Sequence, residues 1–518
     1  MAETFKSLIE YRAGAHPLRT AYMFEDKVFS YKEFNNDINR VAHYFTDLGL
    51  KKGDRIGILD LNNDLIIQFF HAAINAGIIP VPLNYEYNSD ELAHVIKDST
   101  VKHVFYSEYF EKVVKDANRE FNVPSHVLET LYPKIQKEYK DKTENLNVEV
   151  NTKDCLFHLY TSGTTGYPKG VPISNANLFF ELNKVVNETP CLGSSSVNLV
   201  EAKLHSMPGI GFFILGLYVG CTNVLLEMFS PKGFCEAVQE YKVTNGHLAP
   251  VMMQSIVEMK GSEVYDFSSL QHIQYGGSPS TLNVIAKAIE LFECYMTQGY
   301  GLTETTGIST LLRFDDHVNY MNDKDSKYQD IIKSVGRPLH DVELVIMKAD
   351  GSIAGTNESG EVCLRGPNVI DGYWNLEERN EKMFDDQGWF HSGDVGFLDS
   401  EGYLFLVDRI NDMIVSRGIN IFPAEVEKEL LKHPRIKDVA VVGIPHDLYG
   451  EGLCVIAVPF NGEMDDKDLL NWCIDHLPEY KRPIRVEWKN ELPRSPRGKL
   501  LRRKLRAPFW EGKDKAVQ

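Results

Sequence analysis

The chain has no excess of basic charge. Its 518 residues carry 55 lysines and arginines against 73 aspartates and glutamates, a formal net charge of −18. A nucleic-acid binder needs a basic face for phosphate contacts, so that class is set aside. The same balance means that any anionic ligand must be drawn in by local basic clusters and not by the overall field. The eight cysteines (155, 191, 221, 235, 294, 363, 454 and 473) include no C-x-x-C pair, which points to free thiols in a reducing cytosol and argues against a zinc site. The amino terminus, Met-Ala-Glu-Thr-Phe-Lys, lacks the apolar core of a signal peptide. No run suits a membrane span. The most apolar window, Ile66–Leu83, carries His71, Asn75, Gly77 and Pro80 and reads as a buried helix followed by a short strand. Internal repeats and low-complexity tracts are absent, and a cytoplasmic protein is expected.

What is present is an ordinary globular composition, 43% hydrophobic and 25% charged, in a chain too long for one core, so at least two domains are expected. The first half alternates helical and strand-like runs: Tyr31–Leu48 helical, Arg55–Leu61 strand, Leu65–Ala76 helical, Val101–Tyr106 strand. This rhythm implies α/β layers with largely parallel sheet. Residues 134–153, rich in Lys, Glu, Asp and Asn, read as a solvated stretch. From about Val335 the texture turns to short strands and tight turns, with strands expected at Val342–Met347, Gly360–Arg365 and Tyr403–Val407. Beyond a boundary near 408–412 a compact α/β segment follows, with helices at Pro423–Leu431 and Lys467–His476 and strands at Val439–Gly443 and Cys454–Pro459.

The densest chemical signal is Tyr160–Gly170, Tyr-Thr-Ser-Gly-Thr-Thr-Gly-Tyr-Pro-Lys-Gly. Thr161, Ser162, Thr164 and Thr165 offer hydroxyls, Gly163, Gly166 and Gly170 let backbone N–H groups approach oxygens, and Lys169 supplies counter-charge for a polyphosphate. It is not a Walker loop. The glycines are too close, Gly170 follows the lysine where a hydroxyl is required, and Pro172 disfavours a helix behind it. Gln298–Glu304 combines Gly299, Tyr300, Gly301, Thr303 and Glu304: a ring to stack on a base, a hydroxyl for a phosphate and a carboxylate for Mg²⁺. Gly276-Gly277-Ser278 follows a strand-like run and can admit a flat ring against bare backbone. Ser392-Gly393-Asp394 ends the run Trp389–Asp394, and Asp408-Arg409 follows another strand. An aspartate at a strand end suits ribose hydroxyls and a nearby arginine adds donors, although turn caps and ion pairs use the same residues. Near the C-terminus, Leu-Pro-Arg-Ser-Pro-Arg-Gly-Lys forms an exposed loop that presents Lys499 as a mobile cation, or is a plain basic tail.

Together these segments resemble the adenylate-forming superfamily of acyl- and aryl-CoA synthetases, luciferases and peptide-synthetase adenylation domains. The matching stretches are Tyr160–Gly170, Tyr300–Glu304, Ser392–Asp394, Asp408–Glu427 and Pro493–Lys499, in the family's order and spacing over nearly the whole chain. The resemblance implies a large multi-layered AMP-binding N-terminal domain over 1–409, its residues 335–409 forming a β-rich subdomain, and a small mobile α/β C-terminal domain over 410–518. It implies an acid–thiol ligase using ATP, Mg²⁺ and CoA in two steps. Thr161, Ser162, Thr164, Thr165 and Lys169 would hold the β- and γ-phosphates, and Gly277 and Tyr300 would flank adenine. Thr303 would contact the α-phosphate, Glu304 would bind Mg²⁺, and Asp394 and Arg409 would take the ribose. Lys499 would bridge carboxylate and phosphate in the first step.

Three positions depart from the usual pattern. The pivot of the small domain, usually Lys or Asp, is Asn411, which tolerates unusual backbone angles. Where many CoA ligases show two glycines beside the pantetheine tunnel this chain has Arg417-Gly418, Arg417 being either a CoA-phosphate ligand or a surface arginine. The usual His-Arg dipeptide after the loop is Asn175-Ala176. Lys203–Gly216 contains no acid to pair an amino acid's ammonium. With Met207, Gly209, Phe212, Phe213, Val251 and Met252 it suggests an apolar pocket for a fatty or aromatic acid, lined or gated by His205, or else ordinary core. Expected partners are a small carboxylic acid and CoA, with an acyl carrier protein or a second copy of the chain (a homodimer) as further candidates. Alternatives are an enzyme loading a carrier protein's phosphopantetheine and a non-catalytic nucleotide binder.

Overall fold

A computed structural model describes residues 4–161, 167–189, 191–323, 327–416, 419–446, 449–460, 465–494 and 500–511. By internal contact the chain divides into two units, residues 1–343 with 364–390 and residues 344–363 with 391–518. This division groups most of the β-rich strands beyond 343 with the C-terminal segment.

The first unit is built on parallel sheet. Among the described residues, one sheet runs in the order Arg337–Pro338, Thr310–Leu312, Tyr295–Tyr300, His272–Gly276, Asn245–Leu248, Val197–Val200, Thr222–Leu225, Thr20–Phe24 and Lys27–Ser30. From Tyr295–Tyr300 to Thr20–Phe24 every neighbouring pair is parallel. A second parallel sheet runs Ile79–Pro82, Arg55–Leu59, His103–Tyr106, Ser125–Val127. Strands covered on both faces are near-continuous apolar runs, as Ile-Gly-Ile-Leu and Ile-Pro-Val-Pro are here. The helices between them are set by local chemistry. In Tyr31–Asp47 the Ser30 hydroxyl caps the Glu33 N–H and Glu33 returns to Ser30, while Phe34, Ile38, Val41, Ala42 and Phe45 face the core at helical spacing. The apolar window forms the buried helix Asp64–Asn75 and the strand Ile79–Pro82, capped by Asn63. Its His71 packs inside, where burial pulls the imidazole down to about 4 and keeps it neutral.

Residues 134–153 are more structured than expected. They begin as the last turns of the helix Leu128–Glu138, with Ile135 buried, and the Asn145 side-chain carbonyl accepts from the amides of Asn35 and Asn39 at 2.9 and 2.8 Å. The buried Ile135 and the bonding role of the exposed Asn145 were hidden among many charged, outward residues.

The second unit carries the sheet Glu343–Met347, Gly360–Arg365, Phe390–Leu398, Leu404–Arg409 and, beside it in sequence, the sheet Ile419–Ile421, Ile414–Ser416, Gly450–Pro459, Ile436–His446 with Arg485–Trp488 parallel to Gly450–Pro459. Helices Pro423–Leu430 and Asp466–His476 cover a core that includes Val426, Leu430, Val441, Val455, Leu469 and Cys473. The hairpin Ile436–His446/Gly450–Pro459 is longer than the sequence suggested, because Asp438, Gly450 and Glu451 continue the ladder with residues that do not look like strand formers, while the register shifts at Lys437. All eight cysteines are free. Among the described residues no helix is long and apolar enough to cross a membrane.

Candidate active site

The strands Cys155–Thr161 and Lys169–Ser174 pair antiparallel with Thr161 opposite Lys169. Lys169 therefore opens a strand, in keeping with Pro172 and unlike a Walker lysine at a helix start. Ser162, Gly163, Thr164, Thr165 and Gly166 lie outside the described residues. Lys169 is buried, and its Nζ sits 5.3 Å from the Tyr373 ring centroid. Burial, and then the Arg379 guanidinium, pull the amine down to about 8, while the Glu304 carboxylate raises it. The Tyr373 hydroxyl donates to Glu304 Oε1 at 2.7 Å, and burial followed by that carboxylate pushes the phenol well up, so it stays a donor. Arg379 stands 5.7 Å from the same ring. One ring thus spaces two cations and buttresses a carboxylate, an arrangement suited to a polyanion and its metal.

Tyr373 and Arg379 were missed by sequence reasoning. Their signal was Gly372-Tyr373 ahead of the short helix Glu377–Met383. Asn380 on that helix accepts from the Tyr373 N–H at 2.8 Å and donates to the Tyr373 carbonyl at 2.9 Å, fixing the tyrosine. The Glu304 carbonyl in turn accepts from Ile370 N–H at 3.0 Å.

Glu304 and Thr303 lie in a single 3₁₀ turn, Thr303–Thr305, just past the strand Tyr295–Tyr300. Gly276 pairs in register with Gly299, and a Cβ on Gly276 would fall 2.2 Å from the Gly299 carbonyl oxygen. A Cβ on Gly301 would fall 1.7 Å from the Gly307 carbonyl oxygen. These glycines let the chain turn tightly. Gly277 differs: its φ is +81° and open space lies before its Cα, the condition for a flat ring against bare backbone. Ser278 beside it is half-buried, and Tyr300 is buried at the carboxyl edge of the parallel strands, where open α/β sheets hold ligands. Glu181 holds the following turn, accepting from Ile308 N–H at 2.6 Å.

Asp394 and Arg409 belong to the second unit. Asp394 is not at a strand end, as expected, but inside the strand Phe390–Leu398. Gly393 at φ +73° lets Ser392-Gly393-Asp394 turn without leaving the ladder. Asp394 faces Arg409 across the antiparallel pair, Nε to Oδ1 2.7 Å. Glu361, also missed, holds this motif by accepting from the Gly393 N–H at 2.9 Å and pairing with His391 Nδ1 at 2.8 Å. Glu361, Cys363 and His391 place possible metal-ligand atoms within 4.8 Å of one another, but the glutamate is already engaged at both oxygens. Asn411 has its backbone in the turn Ile410–Asp412; its side chain, like Arg417, Gly418 and Lys499, lies outside the described residues. The flanking Asp408 and Asp412 face Arg502, which pairs with Glu427 at 2.5 Å.

The expected acid pocket is only partly pocket-like. On the helix Met207–Val219, Phe212 leans on the His247 ring at 6.1 Å, whereas Phe213 packs into the core against Tyr22 and His71. Gly209 serves close packing, since a Cβ there would fall 2.2 Å from the Lys203 carbonyl oxygen. Met252 is half-buried and Val251 is exposed. His205 is buried with its ring edge on Tyr85, centroids 5.0 Å apart. Two residues before Lys203–Gly216, the stretch without an acid, Glu201 is buried near His247.

The model of the AMP-binding enzyme family matches residues 9–374, and that of the AMP-binding enzyme C-terminal domain matches residues 425–499. A feruloyl-CoA synthase of an Amycolatopsis species is 33% identical over 503 residues, covering 96% of this chain and 97% of that protein. The fatty acid–[acyl-carrier-protein] ligase ScoC of Streptomyces coeruleorubidus is 28% identical over 521 residues, 98% of this chain and 97% of its own. Among solved structures, o-succinylbenzoate CoA synthetase of Bacillus subtilis in complex with its acyl-adenylate intermediate superposes with a TM-score of 0.83 at 28% identity, over 96% of this chain and 97% of that one.

Proposed function

The chain belongs to the AMP-binding enzyme family, within the adenylate-forming superfamily, and is an acid–thiol ligase; from that premise we propose that it activates a fatty or aromatic acid with ATP and transfers the acyl group to CoA. In the first step a carboxylate oxygen attacks the α-phosphorus, the bond from that phosphorus to the bridging oxygen breaks, and pyrophosphate leaves. In the second, the thiol loses its proton, its sulfur attacks the acyl carbon, and the carbon–oxygen bond to AMP breaks.

The observation that carries this reading is the Lys169–Tyr373–Glu304 cluster beside Arg379. The first step brings two anions together, so cations must face the charge that gathers on the phosphates, and removing one such donor typically costs on the order of 10²–10³ in rate. Lys169 is assigned the terminal phosphates with Thr161 and the hydroxyls that follow it, and Thr303 the α-phosphate. Gly276, Gly277 and Tyr300 are assigned adenine, and Asp394 and Arg409 the ribose. Glu304 suits Mg²⁺: it is a hard carboxylate, buried, with one oxygen already oriented by Tyr373. When bound there, Mg²⁺ would neutralise phosphate charge. Lys499 is assigned the contact to carboxylate and α-phosphate in the first step, and Asn411 the pivot between steps. The free cysteines support a reducing, cytosolic setting.

The acceptor has a second reading, a carrier protein's phosphopantetheine, favoured by the full-length similarity to ScoC. Acid-dependent ATP–pyrophosphate exchange over fatty, aryl and short-chain acids tests the first step. Thioester formation with free CoA, compared with a loaded carrier protein, decides the acceptor. Exchange with no acid in the panel would refute the ligase reading.

A further inference from the structure

Glu201 directly follows the strand Val197–Val200, at the same carboxyl edge on which the parallel strands ending at Gly276 and Tyr300 finish. Its side chain is 0% exposed, and neither carboxyl oxygen hydrogen-bonds to another described residue, its own backbone N–H being the one donor that favours its charged form. The His247 ring on the adjoining strand Asn245–Leu248 stands with Nδ1 4.0 Å from Oε1, beyond hydrogen-bond reach, and Phe212 leans on that ring. Burial pushes the carboxyl up to about 8. A buried acid without a hydrogen bond to another residue is costly and uncommon in native proteins.

Nor can this acid easily turn to water. Asn62 brackets the next residues, donating to the Ala202 carbonyl and accepting from the Leu204 N–H, both at 2.9 Å. The helix Met207–Val219 is seated on the same segment, where only Gly209 clears the carbonyls of Ala202 and Lys203. The chain thus buries an acid beside Phe212 and His247 with neither oxygen bonded to another described residue.

We propose that Glu201 is a specificity-determining residue that receives a hydrogen-bond donor, a hydroxyl or an amino group, carried on the tail of the acid substrate. The proposal rests on the ligase reading and narrows its substrate class. A purely hydrocarbon tail leaves the carboxyl unpaired, whereas a donor-bearing tail satisfies it, and sites built to hydrogen-bond a substrate group discriminate strongly against analogues that lack it.

The test is ATP–pyrophosphate exchange with matched acids: an unsubstituted aryl acid and an unsubstituted alkyl acid, each beside its hydroxyl and amino derivatives. The expected wild-type result is a kcat/KM at least roughly tenfold higher for one derivative than for its parent. Glu201→Leu should bring that ratio to about 1 while the parent acid is used at least as well as before. The isosteric Glu201→Gln, the variant of choice if Glu201→Leu does not fold, should keep a hydroxyl preference within a few-fold and lose an amino preference, which separates the two sources of the donor. Wild-type enzyme that uses the parents but prefers neither derivative overturns the proposal alone, as does a preference that survives both substitutions. Exchange with none of the acids overturns the ligase reading, and this proposal with it.

Discussion

Replacing Tyr373 with phenylalanine removes one oxygen from the buried cluster and little else. The ring would still lie 5.3 Å from Lys169 Nζ and 5.7 Å from the Arg379 guanidinium, so both cation–π contacts persist. What goes is the 2.7 Å hydrogen bond to Glu304 Oε1, together with the hydroxyl's hydrogen-bond contact to the Arg379 side chain. Hydrogen bonds to charged groups contribute about 1.5–3 kcal/mol, and a carboxylate deprived of its donor while buried loses the full benefit. At about 1.4 kcal/mol per tenfold, this is roughly a 10- to 150-fold loss wherever Glu304 must hold its position. The assay is pyrophosphate exchange as a function of Mg²⁺ at fixed ATP. The variant should need more Mg²⁺ for half-maximal rate, show a lower kcat/KM for Mg·ATP, or both, with a melting temperature lowered by no more than roughly a few degrees. A kcat/KM and a Mg²⁺ requirement unchanged within about twofold would refute the role given to the Tyr373–Glu304 pair.

Lys169 predicts a pH dependence. Its amine titrates near 8, and only the ammonium can bind phosphate, so ATP affinity should weaken as pH rises through about 8 and Lys169→Arg should move that limb to higher pH. The linkage sign is opposite for folding. Between about 8 and the ordinary lysine value the unfolded chain binds more protons, so the stability cost of burying this lysine is fullest below 8 and eases as pH rises, measurable by denaturant titration. Gly301→Ala must move the Gly307 carbonyl or the turn itself; overpacking typically costs about 1–3 kcal/mol, so a lower melting temperature and a slower exchange rate are expected, and an unchanged pair would contradict the close approach. Arg502→Met leaves Glu427 and Asp408 buried without their cation, a loss of about 3–5 kcal/mol. Burial already raises both carboxyls, so the folded state binds more protons; calorimetry of the variant should show part of the lost stability regained in mildly acidic buffer. Lys499→Ala should abolish exchange yet spare thioester formation from a supplied acyl-adenylate; equal loss of both half-reactions would remove that lysine from the first step.

Much of the architecture was legible because local signals agreed. Tyr31–Leu48 carries helical spacing and the structure starts that helix with the Ser30–Glu33 box, the Ile66–Leu83 window is too polar to span a membrane, and Pro172 disfavours helix after Lys169, where the chain runs as a strand. The hairpin after Ile436 was underestimated since a ladder tolerates Asp438, Gly450 and Glu451 once its partner is in place. Asp394 was misplaced at a strand end because Gly393 reads as a stop, whereas its positive φ only kinks a continuing strand. In the site, Glu304 and Lys169 are marked by the glycines and hydroxyls around them. Tyr373 and Arg379 come from a distant turn with no such surroundings, and proximity in the fold alone joins them to the cluster. Glu201 was invisible for a different reason. A single acid among apolar residues looks like a surface position, and only its burial without a hydrogen bond to another described residue gives it meaning.

On the proposed mechanism the carboxylate of the substrate attacks the α-phosphorus of ATP. Supplying an accepted acid labelled with heavy oxygen in its carboxylate, together with ATP and the thiol acceptor, tests it by mass spectrometry of the products. The prediction is one heavy oxygen in the phosphate of AMP and none in pyrophosphate. Unlabelled AMP, or ADP and labelled inorganic phosphate as the products, would contradict it.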